Sequence, residues 1–352
     1  MTAGPLEPKT KIENRTVAEV LAQTRALVEP AHRAAVDRLS GSMRHIAGYH
    51  AGWWDADGAP CAESGKSVRP ALALAAARAI SGRHGDMRTR AAIPAAVAVE
   101  LVHDFSLLHD DVMDHDLTRR HRPSAWAVFG VGQAILTGDA LQALSIEVLS
   151  ELPCPNPPVR VLISTMLELC AGQSADIGFE NRTDVTLDEC MTMAAGKTAA
   201  LLGCACELGA LAAGATPQQA AQLRAFGRHL GTAFQLVDDL LGIWGDPRAT
   251  GKPVGSDLRS HKKSLPVMAA LSSGTAAGDQ LGRLYHRDEP VDDPAVAHFT
   301  ELIERAGARR WASTEAEREI ASAMTCLARL GASPADTHDL RLLADLITHR
   351  NH

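Results

Sequence analysis

The chain has few aromatic residues: phenylalanine, tryptophan and tyrosine make up 4% of its 352 residues. Strands favour aromatic side chains, so this scarcity argues against a sheet protein. Alanine-rich segments instead carry apolar residues three and four positions apart from residue 16 to the C-terminus, which is the spacing of a buried helix face. The composition therefore predicts an all-α protein.

The chain also lacks a cysteine pattern and an excess of basic charge. Its seven cysteines are odd in number and scattered, which predicts neither a disulfide framework nor a zinc site. We therefore expect a reducing, cytoplasmic location. Acidic residues outnumber basic ones by 42 to 35, so nucleic acid is not an expected partner, because binding its phosphates needs a basic surface.

Neither a domain linker nor a clear membrane segment interrupts the sequence. Residues 16–352 are expected to form one domain after a flexible N-terminal segment at 1–15, which is polar and lacks the apolar core of a signal peptide. The most apolar stretch, 198–215, carries Glu207 near its middle. A charge there is expensive in lipid, so we expect a buried core helix and no transmembrane segment.

Three carboxylates follow an apolar run at Asp110, Asp111 and Asp114, and we call them the first acidic rim. In a helix, Asp110 and Asp114 lie one turn apart on the same face. Their repulsion calls for a cation, and oxygen ligands of this kind suit Mg²⁺. Arg119 and Arg120 follow closely and could bind phosphate oxygens bidentately. The alternative for an isolated motif of this kind is a solvated acidic turn.

A second apolar helix ends in Asp238 and Asp239, the second acidic rim, with Gln235 one turn earlier. Two acidic rims that face each other across a helical bundle would bracket a cluster of divalent metal ions. This segment thus resembles the first acidic rim, because both are apolar helices that end in carboxylates.

Basic residues also interrupt one apolar helix and lie in one loop further along the chain. Lys197 and Thr198 lie in an apolar helix, where a buried lysine needs an anion. Lys252 and Lys262 lie in a loop rich in glycine and proline that could fold over a negatively charged site. These positions predict anion binding from several parts of the chain.

The segment GKSVRP places Lys66 and Arg69 three residues apart near a helix start, where they can present two cations on one face. Two basic residues near a helix start are commonplace, so a phosphate site there is one of two interpretations. His103 lies two helical turns before Asp110. It is either a core histidine bonded to a carbonyl or a ligand contact beside the first acidic rim.

Taken together, the motifs resemble those of the trans-isoprenyl diphosphate synthases, also called polyprenyl synthetases. They occur in the family's order: GKSVRP, ELVHDFSLLHDDVMD followed by TRR, GQSAD, GKT, FQLVDD, and then a GK and a KK. The resemblance covers nearly the whole chain. It implies an orthogonal helical bundle around a deep central cavity, and a homodimeric enzyme that elongates allylic diphosphates with isopentenyl diphosphate.

The resemblance also assigns roles to the residues described above. It implies that four residues bind isopentenyl diphosphate: Lys66, Arg69, His103 and Arg120. The residues that it implies for the allylic diphosphate are Arg119, Lys197, Thr198, Gln235, Lys252 and Lys262. Among these, Lys197 would assist catalysis, while Thr198 and Gln235 would stabilise a carbocation. About three Mg²⁺ ions are implied, held with the allylic diphosphate by Asp110, Asp111, Asp114, Asp238 and Asp239.

The second acidic rim departs from the family pattern. The family usually has DDxxD there, whereas this chain has Gly242 at the last position. Two consequences are open: Asp246 substitutes for the absent carboxylate through water, or the metal site on this rim is weaker. Either leads us to expect retained activity with a raised Mg²⁺ requirement.

Phe105 and Ser106 stand five and four residues before the first aspartate. In the family, these positions help to form the floor of the product cavity. A single aromatic residue at the fifth position resembles enzymes that stop at geranylgeranyl diphosphate (C20), because a ring blocks the tunnel. Other helices also line the tunnel, so farnesyl diphosphate (C15) stays an alternative.

Three other functions fit parts of the sequence. A class I terpene cyclase would share the fold, but the chain has no NDxxSxxxE motif. A non-catalytic subunit of a prenyl synthase is favoured only by Gly242. A metal phosphohydrolase is suggested by the pairs His103-Asp104 and His109-Asp110, but such a site needs more histidine ligands than the motifs supply.

Overall fold

The structure is a computed structural model that describes residues 15–61, 65, 67–82, 85–152, 158–180, 182–245, 255–285 and 291–348. Its described residues are almost entirely helical, which confirms the predicted all-α fold. The first eleven helices are α1 (Val17–Val36), α2 (Gly41–His50), α3 (Val68–Ser81), α4 (Gly85–Ala91), α5 (Ile93–Met113), α6 (Ala125–Phe129), α7 (Val131–Ser150), α8 (Val159–Glu180), α9 (Leu187–Ala194), α10 (Ala200–Ala212) and α11 (Pro217–Trp244).

Six shorter or C-terminal helices complete the described part of the chain. They are α12 (Ser256–Arg259), α13 (Leu265–Leu271), α14 (Ala276–Tyr285), α15 (Asp293–Arg305), α16 (Ala308–Arg329) and α17 (His338–Thr348). The strands in the described ranges are β1 (Thr118–Arg119) and β2 (Arg122–Pro123), which pair antiparallel directly after α5.

Local sequence signals explain where several helices begin. Thr16 and Glu19 form a capping box at the start of α1, in which each side chain accepts a hydrogen bond from the other residue's backbone N–H. The same arrangement begins α9 and α11, and in α11 a proline occupies the first turn. These caps satisfy N–H groups that have no partner inside the helix.

The core contains many alanine residues beside its leucines and valines, and glycines at several points let helices approach closely. A Cβ at Gly209 of α10 would lie 2.7 Å from the carbonyl carbon of Ala73 on α3. A Cβ at Gly227 of α11 would lie 2.8 Å from the Cα of Gly203 on α10. Both glycines are therefore required by the close approach of the backbones, which packs α10 against both α3 and α11.

A π-helical segment, Ala195–Ala199, joins α9 to α10 in one continuous helix. Its Gly196 packs against α8, where an added Cβ would lie 2.8 Å from the carbonyl oxygen of Glu168. π-Helical turns insert an extra residue into a helix and often occur at functional sites. Here the turn carries Lys197 and Thr198, two of the predicted site residues.

Two helices, Met87–Met113 and Leu187–Ala212, are long and apolar enough to cross a membrane by length and composition alone. The most apolar windows of these helices are 61% and 72% buried inside the protein. Burial of this extent is what core helices of a folded domain show.

Candidate active site

The first acidic rim lies where α5 ends. The helix stops at Met113, so Asp114 is its C-cap residue, but the Asp114 N–H still donates to the Asp110 carbonyl oxygen at 2.8 Å. Asp110 and Asp114 therefore remain one turn apart, as the spacing predicts. Partial enclosure of its carboxylate, together with the charge of the neighbouring Asp110, raises the pKa of Asp114 to about 6.

Asp111 of this rim is buried and paired with Arg119, which donates from Nε to Asp111 Oδ1 at 2.8 Å. The two arginines do not continue the helix. Arg119 lies on β1, and Arg120 follows in a tight turn with a positive φ of 52°. The hairpin therefore turns Arg119 back toward α5, a direction that residue spacing alone does not reveal.

Lys197 lies opposite this rim on the π-helical segment. Its Nζ is 2.6 Å from Asp176 Oδ2 of α8 and 3.5 Å from Asp110 Oδ1 of α5. Burial acts against the ammonium charge, but the two carboxylates outweigh it and raise the pKa of Lys197. Three separate helical segments thus place a permanently charged lysine at the first acidic rim.

A chain of hydrogen bonds runs from Thr198 to the second acidic rim. The Thr198 hydroxyl donates to Gln235 Oε1 at 2.7 Å, and Gln235 Nε2 donates to Asp239 Oδ1 at 2.7 Å. The Leu265 N–H donates to the other oxygen of Asp239 at 2.8 Å. Burial raises the pKa of Asp239 to about 6, while Lys262 and these hydrogen bonds act in the opposite direction.

The two aspartates of the second acidic rim therefore differ in environment. Asp238 is exposed, whereas Asp239 is 4% exposed with both oxygens hydrogen-bonded to protein. Because each Asp239 oxygen already accepts a hydrogen bond, Asp239 is suited to holding Gln235 and the start of α13 in place. Asp238 is the carboxylate of this pair that faces outward.

A basic group forms near the N-terminal half of α5. Arg69 Nη1 lies 3.0 Å from His103 Nε2, and a Cβ on Gly65 would lie 3.1 Å from Arg120 Nη2. Burial lowers the pKa of His103 well below its usual value, and Arg69 and Arg120 lower it further. His103 is thus a neutral imidazole between two arginines, where an anion would be favoured. Lys66, predicted to join this group, lies outside the described residues, as do Lys252 and Asp246.

Comparison with known proteins agrees with this arrangement. The family model described as "Polyprenyl synthetase" matches residues 59–303. The chain belongs to the polyprenyl synthetase family. This confirms the resemblance drawn from the ordered motifs and identifies the protein as a trans-prenyltransferase.

Individual relatives of this polyprenyl synthetase carry two different product names. A (2E,6E)-farnesyl diphosphate synthase of Mycobacterium tuberculosis (strain ATCC 25618 / H37Rv) is 46% identical over 354 residues, covering 98% of this chain and 97% of the relative. A geranylgeranyl diphosphate synthase of the same strain is 46% identical over 335 residues, covering 94% and 93%. The two identities are equal, so similarity does not separate C15 from C20.

A solved structure shares the fold of this polyprenyl synthetase. The polyprenyl synthetase from Streptomyces coelicolor A3(2) is 45% identical, with a TM-score of 0.88 over 94% of this chain and 99% of that chain. The fold class predicted from helical periodicity and motif order is therefore that of a known prenyltransferase.

The acidic rims fit Mg²⁺ as the ion that the family implies. Asp111 Oδ2 is buried and has no hydrogen-bond partner among the described residues, so an oxygen ligand is available at the first rim. No three acidic, histidine or cysteine side chains in the described ranges converge into a metal site by themselves. Mg²⁺ is usually held by one or two carboxylates together with substrate phosphates. The donor set therefore fits a metal that binds with a diphosphate.

Two histidines near the basic group could not be recognised as part of the site from the sequence. His32 Nε2 and His50 Nε2 lie 3.4 and 3.9 Å from the two oxygens of Asp104, which is 4% exposed. Burial, together with the charge of the neighbouring Glu100, raises the pKa of Asp104 to about 8. The histidines come from α1 and α2, so their approach to α5 depends on packing that residue spacing does not reveal.

The predicted chain-length residues lie on the same helix as the first rim. Phe105 is 4% exposed, and its ring packs edge-on against His109 with centroids 5.7 Å apart. His109 is seated against α7, where it lies 3.0 Å from the Ile135 carbonyl oxygen. Ser106 donates to the His103 carbonyl oxygen at 2.8 Å. Neighbouring helices therefore hold the Phe105 ring, and its role as a floor stays a prediction.

Proposed function

We propose that this trans-prenyltransferase condenses isopentenyl diphosphate with allylic diphosphates and releases geranylgeranyl diphosphate (C20) as its main product. The observation that carries the proposal is the placement of Lys197 within 3.5 Å of Asp110, which joins a diphosphate-binding cation to the first acidic rim. The aromatic Phe105 favours C20. The chain is as similar to a farnesyl diphosphate synthase as to a geranylgeranyl diphosphate synthase, at 46% identity each. Farnesyl diphosphate (C15) is therefore the second candidate for the main product.

In the proposed reaction, the allylic C–O bond breaks and the electron pair leaves with the diphosphate. Asp176 holds Lys197 and Asp111 holds Arg119. The two positive charges are therefore already in place to bind the diphosphate leaving group, and the side chains need not move during ionisation. Bound Mg²⁺ would neutralise further charge on the diphosphate, with the two acidic rims as its ligands. Sharing the negative charge of the leaving group among these cations lowers the activation free energy of ionisation.

The carbocation left by ionisation needs oxygen dipoles and a dry environment. The Thr198 hydroxyl proton is engaged by Gln235, so the lone pairs of the Thr198 oxygen are free to face the cation. Gln235 is fixed in turn by Asp239. The double bond of isopentenyl diphosphate then forms the new C–C bond, and the departing diphosphate accepts the proton that is lost.

Incubation of the purified protein with Mg²⁺, isopentenyl diphosphate and each allylic starter separately tests this proposal. We expect incorporation of isopentenyl diphosphate into C20 products, identified by chromatography after dephosphorylation. A product that stops at C15 with every starter would support the second candidate, and absence of any condensation would contradict prenyl transfer.

Replacing Phe105 with alanine should lengthen the product, because removal of the ring opens the floor of the cavity. Product length is measured by the same chromatography. Phe299→Ala is a matched control, since it removes a similarly buried ring from α15, where Phe299 packs against Tyr285. An unchanged product length in Phe105→Ala would contradict the assignment of the floor.

We also propose that the enzyme is a homodimer that associates through α7 and α8. These neighbouring helices carry exposed apolar side chains, including Leu136 at 57% and Leu167 at 68% exposure.

Light scattering of the purified protein should give about twice the mass of one chain. Glutamate at both positions should yield monomers, whereas Met87→Glu, at an exposed site on α4, should not. A monomeric wild-type protein would contradict the proposal.

A further inference from the structure

Residues 118–123, which we call the arginine hairpin, carry Arg119 on a strand and Arg120 in the turn that follows. The strands β1 and β2 are only two residues long each. A two-stranded hairpin is at best marginally stable in water by itself. Both turn residues, Arg120 and His121, have positive φ values, 52° and 61°, which side chains other than glycine rarely adopt. The rest of the protein must therefore hold the arginine hairpin in this conformation.

Tyr49, near the end of α2, contacts the second strand of the arginine hairpin in two ways. Its hydroxyl donates to the Pro123 carbonyl oxygen at 2.7 Å. The Arg122 guanidinium lies over its ring, 4.4 Å from the centroid. Pro123 and Arg122 are the two residues of β2, and both pair with β1. Tyr49 therefore holds β2 directly and β1 through the strand pairs.

Trp54, in the segment after α2, supports the same strand. Arg122 Nη2 donates to the Trp54 carbonyl oxygen at 3.0 Å, and Trp54 Nε1 donates to the His45 carbonyl oxygen at 2.8 Å. A Cβ on Gly48 would overlap the indole ring of Trp54, so glycine is required there for the ring to pack against α2. Trp54 and α2 thus form one packed support for the arginine hairpin.

The Tyr49 ring is itself held in place. It is 6% exposed and packs edge-on against Phe129 of α6, with centroids 5.1 Å apart. Tyr49, Arg119 and Arg120 help to line the cavity that remains between α2 and the hairpin. This cavity has a volume of about 20 Å³, which leaves room for about one water molecule. Because the ring is fixed, it cannot shift to compensate for loss of its hydroxyl, and the hairpin should loosen instead.

We propose that Tyr49 is a positioning residue that fixes the arginine hairpin in the conformation in which Arg120 binds isopentenyl diphosphate. This inference rests on the proposed function. Arg119 has a second anchor, because its Nε donates to Asp111 Oδ1 at 2.8 Å. Tyr49 therefore matters more for Arg120 and isopentenyl diphosphate than for Arg119 and the allylic diphosphate.

Calorimetric titration of the full-length protein with isopentenyl diphosphate alone tests the proposal, because no condensation occurs without an allylic diphosphate. Tyr49→Phe removes the hydroxyl and keeps the ring. We expect affinity for isopentenyl diphosphate to fall about five- to tenfold, the scale of one lost hydrogen bond. Tyr285→Phe is the matched control, since it removes a buried hydroxyl that donates to the Lys262 carbonyl oxygen, and this affinity should not change. Equal affinity in Tyr49→Phe and wild type would overturn the proposal.

Steady-state kinetics separates positioning from a general loss of stability. In Tyr49→Phe, the KM for isopentenyl diphosphate should rise about five- to tenfold, while the KM for the allylic diphosphate should rise less than about twofold. Loss of folded protein would instead lower the apparent kcat and leave both KM values unchanged. A fall in kcat with no change in either KM would therefore contradict the proposal.

A substitution in the turn tests whether Tyr49 acts through the arginine hairpin. His121→Gly should favour the observed turn, because glycine adopts a positive φ without steric cost. Adding it to Tyr49→Phe should restore affinity for isopentenyl diphosphate to within about threefold of wild type, since the two changes act on one element. A double variant that binds as weakly as Tyr49→Phe would show that Tyr49 does not act through the hairpin and would overturn the proposal.

The two proposals fail separately. Binding of isopentenyl diphosphate is measured without reaction, whereas product formation is measured with both substrates. Wild-type protein whose binding of isopentenyl diphosphate depends on Tyr49 but that forms no prenyl product would contradict the proposed function only. Full prenyl transfer with binding independent of Tyr49 would contradict this inference only.

Discussion

The first acidic rim takes its three carboxylates from one five-residue stretch at the end of α5, whereas the second has the pair Asp238 and Asp239 at the end of α11. The first rim also has its own cations, Lys197 and Arg119. In the second rim, Asp239 is buried and hydrogen-bonded to protein, while Asp238 is exposed. Both rims are visible as sequence motifs, but the different environments of Asp238 and Asp239 depend on packing.

The largest effect that we expect comes from the first rim. Asp110→Asn removes a predicted metal ligand and one partner of Lys197, so kcat/KM should fall about a thousandfold, the scale of losing a main electrostatic group in a transition state. Asp238→Asn should have a smaller effect, because further carboxylates remain near that rim. Steady-state incorporation of labelled isopentenyl diphosphate measures both. A larger loss in Asp238→Asn would reverse the ranking of the two rims.

Within the second rim, Asp239 should affect stability more than Asp238. Asp239→Asn places an amide nitrogen where the carboxylate accepts from Gln235 or from the Leu265 N–H, so one buried donor loses its partner. We expect the free energy of unfolding to fall by about 2 kcal/mol. Urea denaturation measures this change, with Asp238→Asn as the exposed control. Equal loss in the two variants would contradict the anchoring role of Asp239.

A smaller effect should appear in the pH dependence of the first acidic rim. The pKa of Asp114 lies at about 6, and its carboxylate binds Mg²⁺ only when ionised. Affinity for Mg²⁺ should therefore be highest above this pKa and fall about tenfold from pH 7 to pH 5, as protons compete for one ligand. Calorimetry with methylenediphosphonate measures it. Asp114→Asn should show a weaker dependence, and an unchanged pH profile would argue against Asp114 as a ligand.

Much of the fold follows from local sequence signals. Helical periodicity and capping residues such as Thr16 and Thr216 indicate where helices lie, and the motif order identifies the family. Asp110 and Asp114 lie one turn apart as their spacing predicts, because they are close in the chain, while their role as metal ligands stays a prediction. The roles predicted for Lys66 and Lys252 fall outside the described residues and stay predictions.

Residues that meet through packing could not be placed from spacing alone. His32 and His50 reach Asp104 from two other helices, and Asp176 reaches Lys197 across a contact between α8 and the π-helical segment. Nothing in the local sequence of these residues sets such distances. They depend on which helix faces meet and on the glycines that allow close approach.

The sequence by itself determined the helices, the two aspartate pairs and the absence of a side chain at Gly242. Only the tertiary structure decided that Asp239 is an anchor and that Tyr49 contacts the hairpin that carries Arg119 and Arg120. The reason is geometric: the 3.6-residue period of a helix specifies which side chains share a face, while packing between helices specifies what that face meets.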